Sequence, residues 1–161
     1  MGGVPAFSLT AQTGRTVTRD TLKGKIWVVD FIFTTCNGPC PRMSAQMKRL
    51  QAKLDAAPDD VRLISITVDP EHDTPAVLAE YAQHFQADPH KWWFLTGPRD
   101  QIVDLSTGTF HVNTAVDLLQ HSTRFILVDG KARIRGYYES ADASTLDLLV
   151  TDIGALRREI L

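Results

Sequence analysis

The chain has 161 residues, 43% of them hydrophobic and 22% charged, with a formal net charge of −2 and no run of Lys or Arg. This fits one globular domain over residues 1–161 and offers no electrostatic basis for binding nucleic acid, phosphate or anionic lipid. Two cysteines are too few for a disulfide scaffold, and no apolar run approaches the roughly 20 residues of a membrane span.

The first residues, Met1-Gly2-Gly3-Val4-Pro5, carry no signal-peptide pattern. Phe7 to Leu9 and Gly14 to Val17 read as short edge strands around a turn, an N-terminal extension to the elements that follow. From Ile26 to Phe33 the chain is apolar nearly throughout, which suits a central parallel strand covered on both faces. A helix after Pro41 places Met43, Met47, Leu50 and Leu54 on one face, so the methionines read as core rather than as a metal-binding pair. Val61 to Val68 is a second buried strand, closed by Asp69-Pro70. Thr74-Pro75 supplies an N-cap and first residue for a helix burying Val77, Leu78, Tyr81, Ala82 and Phe85. Trp92 to Leu95 is a third strand, with the two tryptophans at core and rim. Gly97-Pro98 opens a helix carrying Ile102, Val103 and Leu105, and residues 111–120 show no period and read as a surface loop. Phe125 to Val128 and Ala132 to Tyr138 flank Asp129-Gly130, the signal of a two-residue hairpin. A final helix carries Leu146, Leu149, Val150, Ile153 and Leu156.

Alternating strands and helices call for a parallel sheet with helices on both faces, to which the late hairpin adds antiparallel strands. Against this background Cys36 and Cys40 stand out. They lie four positions apart where the central strand ends and a helix begins, the place where open α/β sheets put their sites. Unpaired N–H groups and the positive end of the helix dipole favour a thiolate there, and such positions bring a cysteine pKa from about 8.5 into a range of roughly 3.5 to 7.5. The whole resembles the thioredoxin-like fold, a central mixed sheet flanked by helices.

Thioredoxin-like oxidoreductases carry Cys-x-x-Cys faced by a cis-proline ahead of the hairpin. Here the spacer is one residue longer, and Leu119-Gln120-His121-Ser122-Thr123-Arg124-Phe125-Ile126 contains no proline. Two thiolates and the His121 imidazole make a three-ligand set whose softness selects copper, particularly Cu(I), or zinc. For His72, His84, His90 and His111 the ordinary structural reading holds. Asp69 and Asp73 either start a loop and precede a helix cap, or support a ligand from behind.

Nearly the whole chain is similar to the Sco/SenC family of copper proteins. The likeness rests on Phe33-Thr34-Thr35-Cys36 through Cys40-Pro41, on residues 65–75 (SITVDPEHDTP), on His121-Ser122, and on Phe125 to Asp129 with Ile134 to Tyr138. It departs from the family pattern at Asn37-Gly38-Pro39 and Gln120, which remove negative charge near the thiols and the histidine. The resemblance implies a metallochaperone that binds copper, as Cu(I) and also Cu(II), through Cys36, Cys40 and His121. It further implies a redox-active thiol pair and a role in copper-centre assembly of cytochrome c oxidase. The implied partners are the copper-site domain of oxidase subunit II, a copper donor protein and a thiol reductant. The implied location is periplasmic or extracytoplasmic, with a membrane anchor that the chain itself does not carry. A thiol-disulfide oxidoreductase without a metal role is the alternative, disfavoured by the missing proline and the added histidine. A peroxidase ranks last, because a threonine three residues before the reactive cysteine is replaced by Phe33 before Cys36 and by Asn37 before Cys40.

Overall fold

The computed structural model describes residues 2–35, 40–54, 60–110 and 123–160. Among them are strands β1 (Ser8–Ala11), β2 (Thr16–Thr18), β3 (Ile26–Ile32), β4 (Val61–Thr67), β5 (Trp92–Thr96), β6 (Arg124–Val128) and β7 (Ile134–Glu139). The helices are α1 (Cys40–Lys53), α2 (Pro75–His84), α3 (Arg99–Val103) and α4 (Thr145–Ile160). The strands form one sheet in the order β2-β1-β5-β4-β3-β6-β7. β3, β4 and β5 run parallel at its centre, and the other pairings are antiparallel.

Every residue of β3, β4 and β5 is buried, which is why their sequences are nearly continuous apolar runs. Alternation sends Ile26, Val28 and Ile32 to one face, where Met43, Met47 and Leu50 of α1, Leu78 of α2, and Leu149 and Ile153 of α4 cover them. Trp27, Val29 and Phe31 point to the other face and pack with Phe7, Leu22, Ile102, Leu105 and Phe110. At about 1.5 to 3 kcal/mol for each large apolar side chain buried, these two layers fix the register of β3. The Thr74 hydroxyl accepts the Val77 N–H at 3.3 Å, with Pro75 in the first helical position, as the sequence predicts.

Four details differ from the sequence reading. β1 is not an edge strand, because it pairs with β5 as well as with β2; only β2 lies at the rim. Trp93 is buried like Trp92, its ring covered by the Arg15 and Arg62 guanidinium groups at 5.1 and 5.5 Å. The helix after Pro98 continues from α3 into a π-helical turn, Asp104–Thr109, which spacing alone does not announce. The β6–β7 connection is longer than two residues. The Asp129 carboxylate accepts the N–H groups of Lys131 and Arg133 at 2.9 and 3.0 Å, and positive φ falls on Ala132 rather than Gly130. Gly130 serves close approach instead: a Cβ there would stand 3.3 Å from the Gly24 backbone. The predicted loop at residues 111–120 lies outside the described residues.

Candidate metal centre

β3 ends at Ile32, whose carbonyl accepts the Val68 N–H at 2.8 Å, so the loops that follow β3 and β4 leave the sheet side by side. Cys40 is the first residue of α1 and is fully buried, in the same cluster as Ile32, Met43 and Met47. Its burial follows from the period of the helix, since Cys40, Met43, Met47 and Leu50 share the face laid against the sheet.

Asp73 joins the two loops. It is fully buried. One carboxylate oxygen accepts the Thr34 N–H at 3.0 Å and the Thr67 hydroxyl at 2.7 Å. The other accepts the Thr34 hydroxyl at 2.5 Å and His72 Nδ1 at 2.9 Å. Thr34 is two residues before Cys36, so a single buried carboxylate fixes the backbone from which the first cysteine follows. Hydrogen bonds to a charged acceptor contribute about 1.5 to 3 kcal/mol each, and losing the acceptor would strip it from three donors, the Thr34 N–H and the Thr34 and Thr67 hydroxyls. Asp69 contributes its backbone, accepting the His72 and Asp73 N–H groups at 3.2 and 2.9 Å. Of the two candidate aspartates, Asp73 is the one directed toward the cysteine loop.

His72 is not a core histidine. Its side chain is 52% exposed, and the bond to Asp73, with the charges of Asp73 and Asp69 added, raises its pKa above the usual value although burial acts against this. His84 stacks edge-on against Phe85 and the His90 N–H donates to Asp88 Oδ1, in keeping with structural roles. His111 lies outside the described residues.

Cys36 and His121 also lie outside the described residues. What can be placed is their flanks. Thr123, two residues after His121, accepts the Ser140 N–H at 2.9 Å and donates its hydroxyl to Glu139 at 2.9 Å. Ser140 in turn holds α1: its carbonyl accepts Gln46 Nε2 at 2.8 Å and its hydroxyl accepts Arg42 Nη2 at 3.0 Å. The helix that starts at Cys40 and the segment that follows His121 thus meet at one residue. Among the described residues no group of three His, Cys, Asp or Glu converges as a metal site.

One buried acid escaped the sequence reading. Asp30 sits in the middle of β3 with no exposure, and its pKa is pushed up to about 7 by desolvation, against which the Ser65 bond acts. Its Oδ1 accepts the Ser65 hydroxyl at 2.5 Å, and Ser65 Oγ accepts Trp92 Nε1 at 3.0 Å, while Oδ2 has no partner. By strand alternation it lies on the α1 face of the sheet. The signal in the sequence was a lone acid inside an otherwise apolar strand.

A mixed sheet with parallel central strands, a hairpin on the far side of β3 and a thiol opening the helix after β3 define a thioredoxin-like protein. The chain belongs to the SCO1/SenC family, whose model matches residues 3–154. A SCO1/SenC family lipoprotein from Bacillus anthracis superposes with a TM-score of 0.88 at 31% identity, over 97% of this chain and 95% of that one. BsSco, described as a member of the Sco family of cytochrome c oxidase assembly proteins with a disulfide switch, gives 0.84 at 34% identity, over 96% and 93%. Bradyrhizobium japonicum ScoI, solved with copper bound, gives 0.79 at 27%, over 97% and 99%.

Proposed function

We propose that this protein carries copper through Cys36, Cys40 and His121 and assists assembly of a copper centre of cytochrome c oxidase, with the cysteines doubling as a redox pair. The observation that carries this reading is the place of Cys40 as the first residue of α1, at the end of the central strand. The unpaired N–H groups and the positive end of the helix dipole there favour the thiolate, the form that binds a soft cation and exchanges with a disulfide. The chemistry of the donor set, two sulfurs and an imidazole, suits soft copper and offers Cu(II) an imidazole as well. Asp73 holds Thr34, and through it the approach to Cys36, without occupying a ligand position.

Copper is cargo in this reading. A low-coordinate ion leaves room for an incoming ligand of the oxidase copper-site domain to attack, and the same exchange in reverse loads the protein from a donor. Oxidation of both thiols to a disulfide releases two electrons and two protons and withdraws two ligands at once. A thiol reductant restores them, so copper loading follows thiol state. The setting is extracytoplasmic and membrane-anchored, in line with the lipoprotein relative. The test is a Cu(I) titration against a competing chelator. The reduced protein is expected to take one equivalent and the air-oxidised protein none, with recovery after a dithiol; equal uptake by both would separate metal binding from the cysteines.

A further inference from the structure

The two ends of the sheet differ in charge. Where β3 and β4 finish, the loop before α2 carries Asp69, Glu71 and Asp73, of which Glu71 pairs with Arg99 and Asp73 is buried, and Glu139 closes β7. At the opposite end, where β3 begins, a cleft of about 440 Å³ is lined by Lys23, Lys131, Arg133 and Arg135, with Asp129 and Glu159 as its only acids. Both acids are already engaged. Asp129 Oδ2 accepts Arg133 Nε and Arg135 Nη1, each at 3.1 Å, and Glu159 accepts both terminal nitrogens of Arg135 at 3.1 and 3.0 Å. Lys23 and Lys131 are exposed and have no ion-pair partner among the described residues. In the cleft four cations face two committed carboxylates, and beside it Arg19 and Asp20 flank Lys23 and Lys131 and offset each other, so this end is positive in a chain whose net charge is −2. Composition conceals it, because the cations come from the turn before β3 and from the β6–β7 hairpin and are gathered only by folding.

The first residues of the chain run along this same end. Gly3 pairs with Arg133, the Val4 N–H donates to the Ala132 carbonyl at 2.7 Å, and the Ile134 N–H donates to the Gly2 carbonyl at 3.0 Å. Gly2, Gly3 and Val4 therefore lie at the basic end, separated from the Cys40 end by the length of β3, seven residues or about 23 Å.

We propose that this end is a membrane-facing surface that seats anionic phospholipid headgroups, with Lys23 and Lys131 as its main contacts. It would rest the protein on the bilayer with the cysteine end turned outward. An acidic protein partner fits the charge as well, but the course of the N-terminal residues favours the membrane. The choice of membrane rests on the anchored reading above, whereas the contact itself needs no anchor. Co-sedimentation with vesicles tests it. The protein is expected to bind phosphatidylcholine vesicles doped with phosphatidylglycerol at low salt, to release at high salt, and to ignore phosphatidylcholine alone. Lys23→Gln with Lys131→Gln should cut partition about 25-fold, about fivefold for each charge. Lys48→Gln with Arg49→Gln, the same change in net charge on exposed positions of α1, should leave it unchanged. Equal loss in both pairs, binding to neutral vesicles, or binding only to an acidic polypeptide would overturn the proposal. None of these outcomes touches the Cu(I) titration, so the two readings fail separately.

Discussion

Replacing Cys40 by Ser is expected to lower Cu(I) affinity by at least about 100-fold, because loss of groups that merely support a ligand already costs 10 to 100-fold. Serine at Cys40 keeps nearly the same volume but puts a hydroxyl among Met43, Met47 and Ile32, so a stability loss of about 1 to 3 kcal/mol accompanies it. Cys36→Ser is the companion variant, two residues after the Thr34 whose N–H Asp73 accepts. Chelator competition on reduced protein reads the affinity, and circular dichroism shows that each variant is folded. Unchanged affinity in either folded variant would put the copper on other residues.

The second large effect concerns Asp30 and stability. Its carboxyl titrates at about 7 in the folded protein, well above the 3.8 of an unperturbed Asp. Below that unperturbed value the group is protonated in both states and adds no penalty. As pH rises from there toward 7 the unfolded chain ionises freely while the folded one resists, so stability falls by about 1.4 kcal/mol per pH unit from this group. Above 7 the loss levels off at about 4 kcal/mol. Asp30→Asn mimics the neutral acid and keeps an acceptor for Ser65. It is expected to leave stability unchanged near pH 4 and to raise it by about 2 to 4 kcal/mol at pH 8, read as a shift in the denaturant midpoint. A variant less stable than the parent at pH 8 would show that the charge is needed and met by a partner.

Much of the architecture was legible because burial wrote itself into period and composition. The continuous apolar run of β3, the spacing of Met43, Met47 and Leu50, and the Thr74-Pro75 start of α2 each have one physical reading, and the structure follows it. The same holds for family membership, which rested on several separated segments rather than on the cysteine spacing alone. What escaped depended on contacts between distant segments. Asp30 passed unnoticed inside an apolar strand, because its partners Ser65 and Trp92 come from other strands. Asp73 could not be told from Asp69 by sequence, because its distinction is the pair of threonines that converge on it, Thr34 from the turn after β3 and Thr67 from the end of β4. The β6–β7 turn failed for a related reason: Asp-Gly signals a tight turn, but the Asp129 side chain found better use capping Lys131 and Arg133 and binding Arg135. The basic end was invisible to composition for the same cause.

The most direct measurement is X-ray absorption at the copper edge on reduced protein loaded with one equivalent of Cu(I). The ligand set proposed for this chain predicts two sulfur neighbours and one nitrogen, the nitrogen lost in His121→Ala and one sulfur lost in either cysteine variant. A shell of nitrogen and oxygen alone, or one unchanged by His121→Ala and Cys36→Ser, would contradict it.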